Sequence, residues 1–205
     1  MQLNSLVVCL LVTVAGAQRV VPLTVTKERH TQLQRRGPFS ENLFNNRSAM
    51  TYYATVEVGT PGQKATLIVD TGSSDVWVLS NTADLCTDPD LQDWSQDGCV
   101  DSYDRSKSST SKLIGRDEFS IQYADSSSAE GDYISDNINV GGVTVKGLQM
   151  GLALNSTIDV GIMGVGFAAN EAAYTPYPSI MDMMASQGLI GIKAYSLYLV
   201  SEAMK

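Results

Sequence analysis

One string constrains this chain more than any other: Leu67-Ile68-Val69-Asp70-Thr71-Gly72-Ser73-Ser74-Asp75-Val76-Trp77-Val78. An apolar strand delivers an aspartate into a tight turn, and a second apolar strand leaves it. Gly72 lets the backbone approach closely, because it has no Cβ. Thr71 and Ser73 supply hydroxyls that can hydrogen-bond a carboxylate or the backbone. A carboxylate held that way can stay ionised and act as a general base on water. Asp-Thr-Gly alone would be read as a solvated turn aspartate. The whole string is the signal.

The surroundings are β-patterned from Thr51 onward. Ala54, Val56 and Val58 alternate with polar residues, as a half-buried strand requires. Thr60-Pro61-Gly62 marks a turn, and the strand Ala65 to Val69 should pair back as a hairpin. Val76 to Leu79 reads as the next strand. Thr82 to Lys112 is polar and reads as surface loop. Asp117 to Tyr123 alternates, with Phe119, Ile121 and Tyr123 on one face. A polar tip, Ala124 to Gly131, leads to a return strand, Asp132 to Val140. Gly141-Gly142 is a turn before a strand from Val143 to Leu154. Pro178 to Gln187 is the best helix candidate: proline in its first turn, Ile180, Met181 and Met184 on one face, and Gly188 to cap it. The methionines read as core filler, not a cofactor box. Ala194 to Leu199 reads as a final strand.

Residues 1–17 read as a secretory leader, since the apolar run Leu6 to Val14 precedes Ala15-Gly16-Ala17. A buried strand or short anchor is the alternative; the run is too short to span a membrane. Residues 18–36 are basic and end in Arg35-Arg36, so they read as a propeptide cut after Arg36, leaving residues 37–205. Five of the chain's 14 basic residues and one of its 22 acidic residues precede residue 37, which leaves nine against 21, a net charge near −12. Such a surface argues against nucleic acid as a partner and suits work in acid, where carboxylates are protonated and repel less.

The chain's one histidine is His30, inside the expected propeptide. The mature part therefore has none, which removes Ser/His/Asp and Cys/His catalysis and histidine-ligated zinc. Hydrolytic chemistry must come from carboxylates or from a partner, and neither metal nor cofactor is expected. Cys9 leaves with the leader. Cys86 and Cys99 remain, an even pair in a secreted chain, and read as one disulfide; a metal site would need further ligands. Asn46-Arg47-Ser48 and Asn155-Ser156-Thr157 are glycosylation sequons.

From these motifs the chain resembles the pepsin family of aspartic endopeptidases over roughly Thr51 to Leu199, and most of all the secreted and cell-surface members of fungi. The resemblance implies an all-β, pepsin-like lobe with one or two short helices. It implies peptide-bond hydrolysis with Asp70 as the catalytic carboxylate, supported by Thr71, Gly72 and Ser73. Phe119 to Tyr123 with Gly131-Asp132 looks like the family's flap hairpin, placing Tyr123 over substrate with Trp77 orienting it; core packing is the alternative for both. Asp125, at the flap tip, would favour Lys or Arg beside the scissile bond by charge pairing, or be a solvated turn aspartate. Gly161 to Phe167 resembles the segment that crosses behind the catalytic loop.

The resemblance also implies something missing. The family mechanism shares a proton between two aspartates, and Asp70 is the one aspartate here followed by Thr-Gly or Ser-Gly. Asp159-Val160-Gly161 lacks the hydroxyl residue. The expectation is an amino-terminal lobe alone: a truncated protease, inactive by itself, whose partner is the second lobe. The alternatives are a non-catalytic lobe that binds peptide or a partner, and a symmetric homodimer contributing Asp70 twice.

Overall fold

The computed structural model describes residues 39–46, 51–95, 98–197 and 199. The expected leader and propeptide, residues 1–36, lie outside them. Eight strands follow one another: β1 (Leu43–Asn46), β2 (Thr51–Val58), β3 (Gln63–Asp70), β4 (Val76–Leu79), β5 (Lys112–Gln122), β6 (Ser128–Val140), β7 (Val143–Ser156) and β8 (Gly161–Gly164). They form one sheet in the order β1-β2-β3-β8-β4-β7-β6-β5. A further pairing of Glu57 and Val58 with Asn139 and Ile138 ties β2 to β6, so the sheet bends back on itself.

The apolar runs are continuous because strand alternation sends them to two cores. Along β4, Val76 and Val78 point into one buried cluster with Leu67, Ile134, Met150 and Leu152. Trp77 and Leu79 point into the other, with Phe119, Tyr133, Ile162 and Tyr177. A strand buried on both faces has no position left for a polar side chain. In β2, one strand in from the edge, the pattern is closer to simple alternation: Ala54, Val56 and Val58 are buried while Glu57 is exposed.

Three short α-helices occur among the described residues, where one or two were expected: α1 (Asp84–Thr87), α2 (Pro89–Ser95) and α3 (Ile180–Ser186). The first two lie in the stretch expected to be surface loop. Leu85 and Tyr103 are buried there; a polar composition hid two anchors that a loop would not have. Helix α3 starts two residues later than the Pro178 signal implied. Ser179 is its N-cap, in a reciprocal capping box with Asp182, so Pro178 precedes the cap. At its other end Gly188 has φ +66°. Its amide donates to Ala185 O and that of Leu189 to Met184 O, a Schellman closure. Met184 is buried in the core, as expected of a filler.

No strand forms at Ala194–Leu197 or at Leu199. Tyr195, Leu197 and Leu199 are exposed, and no strand pairs with them among the described residues. A β-propensity run without a neighbouring edge has nothing to bond.

Cys86 and Cys99 are bonded, 13 residues apart in sequence with Cα atoms 5.0 Å apart. Replacing both with serine is expected to lower stability by about 3 kcal/mol, the loop-closure value for a ring of this size, read from urea unfolding of the two proteins.

Candidate active site

Asp70 is the last residue of β3, and its position follows from a crossover. Strands β3 and β4 are consecutive in sequence but not neighbours in the sheet. Strand β8 lies between them, parallel to β3 and antiparallel to β4. The turn from Asp70 to Asp75 must therefore arch over the end of β8. Three backbone bonds fasten it there: Val165 N–H donates to Asp70 O at 2.9 Å, Gly166 N–H to Ser73 O at 2.9 Å, and Gly164 N–H to Asp75 O at 3.0 Å. Ser74 Oγ adds a fourth, to Phe167 O at 2.7 Å.

Within that turn the Asp70 carboxylate is half-buried and accepts the Gly72 amide at 2.8 Å. Thr71 and Gly72 are exposed, while Ser73, Ser74 and Asp75 are buried. Among the described residues it is the Gly72 amide, not the Thr71 or Ser73 hydroxyl, that bonds the carboxylate. Ser73 Oγ is buried without a hydrogen bond of ordinary geometry, and the Tyr123 hydroxyl is its electrostatic neighbour.

The hairpin of β5 and β6 turns at Tyr123 to Ser127, with Ser126 at φ +71°. Asp125 sits in that tip, exposed, and accepts from Ser127 N at 3.0 Å and Ser127 Oγ at 2.6 Å. Those two donors hold its carboxyl below the usual aspartate range. Tyr123 points inward, where Trp77 Nε1 donates to its hydroxyl at 2.9 Å. Burial pushes that phenol up to about 12; the Trp77 hydrogen bond and the neighbouring Ser73 hydroxyl work against the rise, and the charges of Asp70 and Asp75 add to it. Tyr123 is thus neutral at any working pH, with its O–H proton still free to donate. Removing the indole donor isolates this link. Trp77→Phe and Tyr123→Phe should couple by about 1 kcal/mol in a double-mutant cycle of urea unfolding.

A second carboxylate lies behind the turn, and sequence reading assigned it no role. Asp75 is 0% exposed. Its Oδ1 accepts from the Tyr177 hydroxyl at 2.7 Å and its Oδ2 from the Ala172 amide at 2.8 Å. Glu171 in turn accepts the Tyr177 amide at 2.7 Å. An aspartate opening a run as apolar as Val76-Trp77-Val78-Leu79 was the available signal, since such an environment buries the carboxylate and demands partners.

Asn155, on the penultimate position of β7, is exposed. Of the other sequon only the Asn46 backbone, at the end of β1, is described; Arg47 and Ser48 lie outside the described residues. No helix among the described residues is long and apolar enough to cross a membrane.

The site thus sets a carboxylate on a strand crossover beside a hairpin whose tyrosine is braced by a buried indole. Comparison with known proteins gives the family. A family model for eukaryotic aspartyl proteases matches residues 51–205, and the chain belongs to that family. It is 41% identical over 155 residues to a probable aspartic-type endopeptidase opsB of Aspergillus fumigatus, covering 72% of this chain and 30% of that protein. It is 38% identical over 179 residues to secreted aspartic protease 6 of Candida albicans, covering 84% of this chain and 41% of that one. The crystal structure of an aspartic proteinase from Irpex lacteus superposes with a TM-score of 0.53 at 26% identity, over 70% of this chain and 38% of that chain. The chain therefore spans well under half the length of these relatives.

Proposed function

We propose that this chain is the Asp70-bearing lobe of a secreted aspartic endopeptidase that cleaves protein substrates in acid. The observation that carries the reading is the Asp70 turn: a half-buried carboxylate at the end of a strand crossover, held by the Gly72 amide. Ionised Asp70 takes a proton from a water, and the hydroxide equivalent attacks the scissile carbonyl. A second carboxyl group, protonated, delivers its proton to the carbonyl oxygen as the tetrahedral intermediate forms. Collapse then breaks the C–N bond, with a proton passing to the amine. Two neighbouring carboxyls divide these roles because both cannot ionise together easily.

Asp70 is the one aspartate in the sequence followed by Thr-Gly or Ser-Gly, so the second carboxyl comes from outside these residues, on a second lobe. Tyr123 closes over substrate with Trp77 behind it, and Thr71, Gly72 and Ser73 shape the turn. Asp125 favours a basic residue beside the scissile bond. Residues 1–17 direct secretion, residues 18–36 are removed on activation, and Asn46 and Asn155 carry glycans.

The lone Asp-Thr-Gly also favours a second reading, a lobe that binds peptide without cleaving it. One assay separates them. Hydrolysis of an unfolded protein substrate in acid is measured for the full chain, and for a polypeptide that continues into a second Asp-Thr-Gly or Asp-Ser-Gly. Turnover by the longer polypeptide alone supports the protease lobe. Absence of turnover in both supports the binding lobe.

A further inference from the structure

The segment from Glu171 to Tyr177 packs its tyrosine ring into the core beside Tyr133, and carboxylates supply its polar ties to the active-site turn. Asp75 grips it at both ends, through the Ala172 amide and the Tyr177 hydroxyl. Glu171 grips the Tyr177 amide through Oε2. Its other oxygen, Oε1, is buried with no hydrogen-bond partner, and so is the Tyr133 hydroxyl nearby. The groups facing Glu171 are Asp75 from the turn, Asp182 from α3, Tyr133 from β6 and Tyr177 from its own segment. Asp182 is itself paired with Lys193 at 2.6 Å. Among the described residues the ion pairs involve neither Asp75 nor Glu171. A half-buried carboxyl whose inner oxygen has no partner, facing two other carboxylates with no cation against it, favours its protonated form.

We propose that Asp75 is a positioning residue for the Asp70 site, clamping segment 171–177 behind the turn, and that Glu171 makes the clamp proton-dependent: closed when protonated, loosened when ionised. The proposal rests on the reading of Asp70 as the catalytic carboxylate only for its consequence; the clamp itself is a conformational claim. In the closed state the neutral Glu171 brings no second negative charge beside Asp75, and an O–H at its unpartnered oxygen can donate to an acceptor such as the Tyr133 hydroxyl oxygen. Ionisation removes that donor and places a second negative charge beside Asp75. The loosening is confined, because Gly166 N–H and Ser74 Oγ still bind across to Ser73 O and Phe167 O.

Burial is the main cause that lifts Glu171 to about 7; the Tyr177 amide opposes it, and the charges of Asp75 and Asp182 add to it. The sign follows. A carboxyl raised above its ordinary value stabilises the closed form fully below that ordinary value, and the contribution is lost as pH rises through about 7. The clamp is therefore shut in acid and releases near neutrality.

Hydrogen exchange of the full chain tests this without requiring turnover, so a failed protease reading would leave the test intact. Protection of the Ala172 and Tyr177 amides, corrected for intrinsic exchange, is followed from about pH 5 to about pH 8. The expected result is a loss of about tenfold across that range, less than the full shift allows because Glu171 is only partly buried. Glu171→Gln keeps the shape and a permanent donor, and should hold protection level throughout. Level protection in the unsubstituted chain would overturn the proposal, as would an equal loss in Glu171→Gln. Should Glu171→Gln fold poorly, Tyr177→Phe, which removes one of Asp75's two grips, must lower protection at Ala172 in acid; unchanged protection there would overturn the clamp.

Discussion

Asp70→Asn, in a polypeptide that carries both catalytic carboxyls, is expected to lower kcat by roughly a hundred- to ten-thousand-fold, the contribution of a positioned general base. The substitution is nearly isosteric. Asn Oδ1 can still accept the Gly72 amide that Asp70 accepts at 2.8 Å, and the three backbone bonds from Gly164, Val165 and Gly166 do not involve the side chain. The turn should therefore survive, with urea stability changed by less than about 1 kcal/mol. What the amide cannot do is take a proton from water at any accessible pH. The loss should fall on kcat with KM nearly unchanged, because the interaction removed is made in the transition state. A variant that keeps turnover within about threefold of the parent would remove Asp70 from the role of base. A variant that loses activity together with fold would show instead that the charge is structural.

Much of this site was legible from residue order because its strands are buried and short-range. The turn carrying Asp70, the alternation of Phe119, Ile121 and Tyr123, and the Gly188 cap are each written in a window of fewer than ten residues. Local windows suffice where periodicity or one special residue fixes the backbone. What escaped notice is non-local. Asp75 meets Tyr177 across 102 positions, and Ser74 meets Phe167 across 93; no pattern along the chain connects them. The two helices between Asp84 and Ser95 were hidden in a polar stretch whose buried residues, Leu85 and later Tyr103, are too sparse to show a period. The apolar run at Ala194–Leu199 failed in the opposite way, since its composition suits a strand but no strand of the sheet pairs with it among the described residues. Hydrophobicity specifies that a segment can be buried; topology decides whether there is somewhere to bury it.

Topology also makes a glycine beneath the site a sensitive position. Gly164→Ala is expected to cost about 3–4 kcal/mol or more, at the upper end for a single overpacking change. A Cβ at residue 164 would stand 2.7 Å from Asp75 O, Ser74 C and Ser74 N. These are backbone atoms of the arch itself, so no side chain can swing aside. To admit one methyl group the arch must lift off β8, stretching the bonds that tie Asp70, Ser73 and Asp75 to Val165, Gly166 and Gly164. Asp75 would carry that shift to Tyr177 and Ala172, so the damage should spread behind the site as well as through it. Against a typical domain stability of roughly 5–15 kcal/mol, the loss leaves a lobe near the margin of folding. Gly191→Ala is the matched control, since a Cβ there meets nothing within 4 Å, and it should unfold within about 0.5 kcal/mol of the parent. Urea midpoints of the two variants decide the matter. If Gly164→Ala unfolds with the control, the crossing of β8 beneath the turn is not what holds Asp70 in place, and the rigidity ascribed to the site must come from the Asp75 clamp alone.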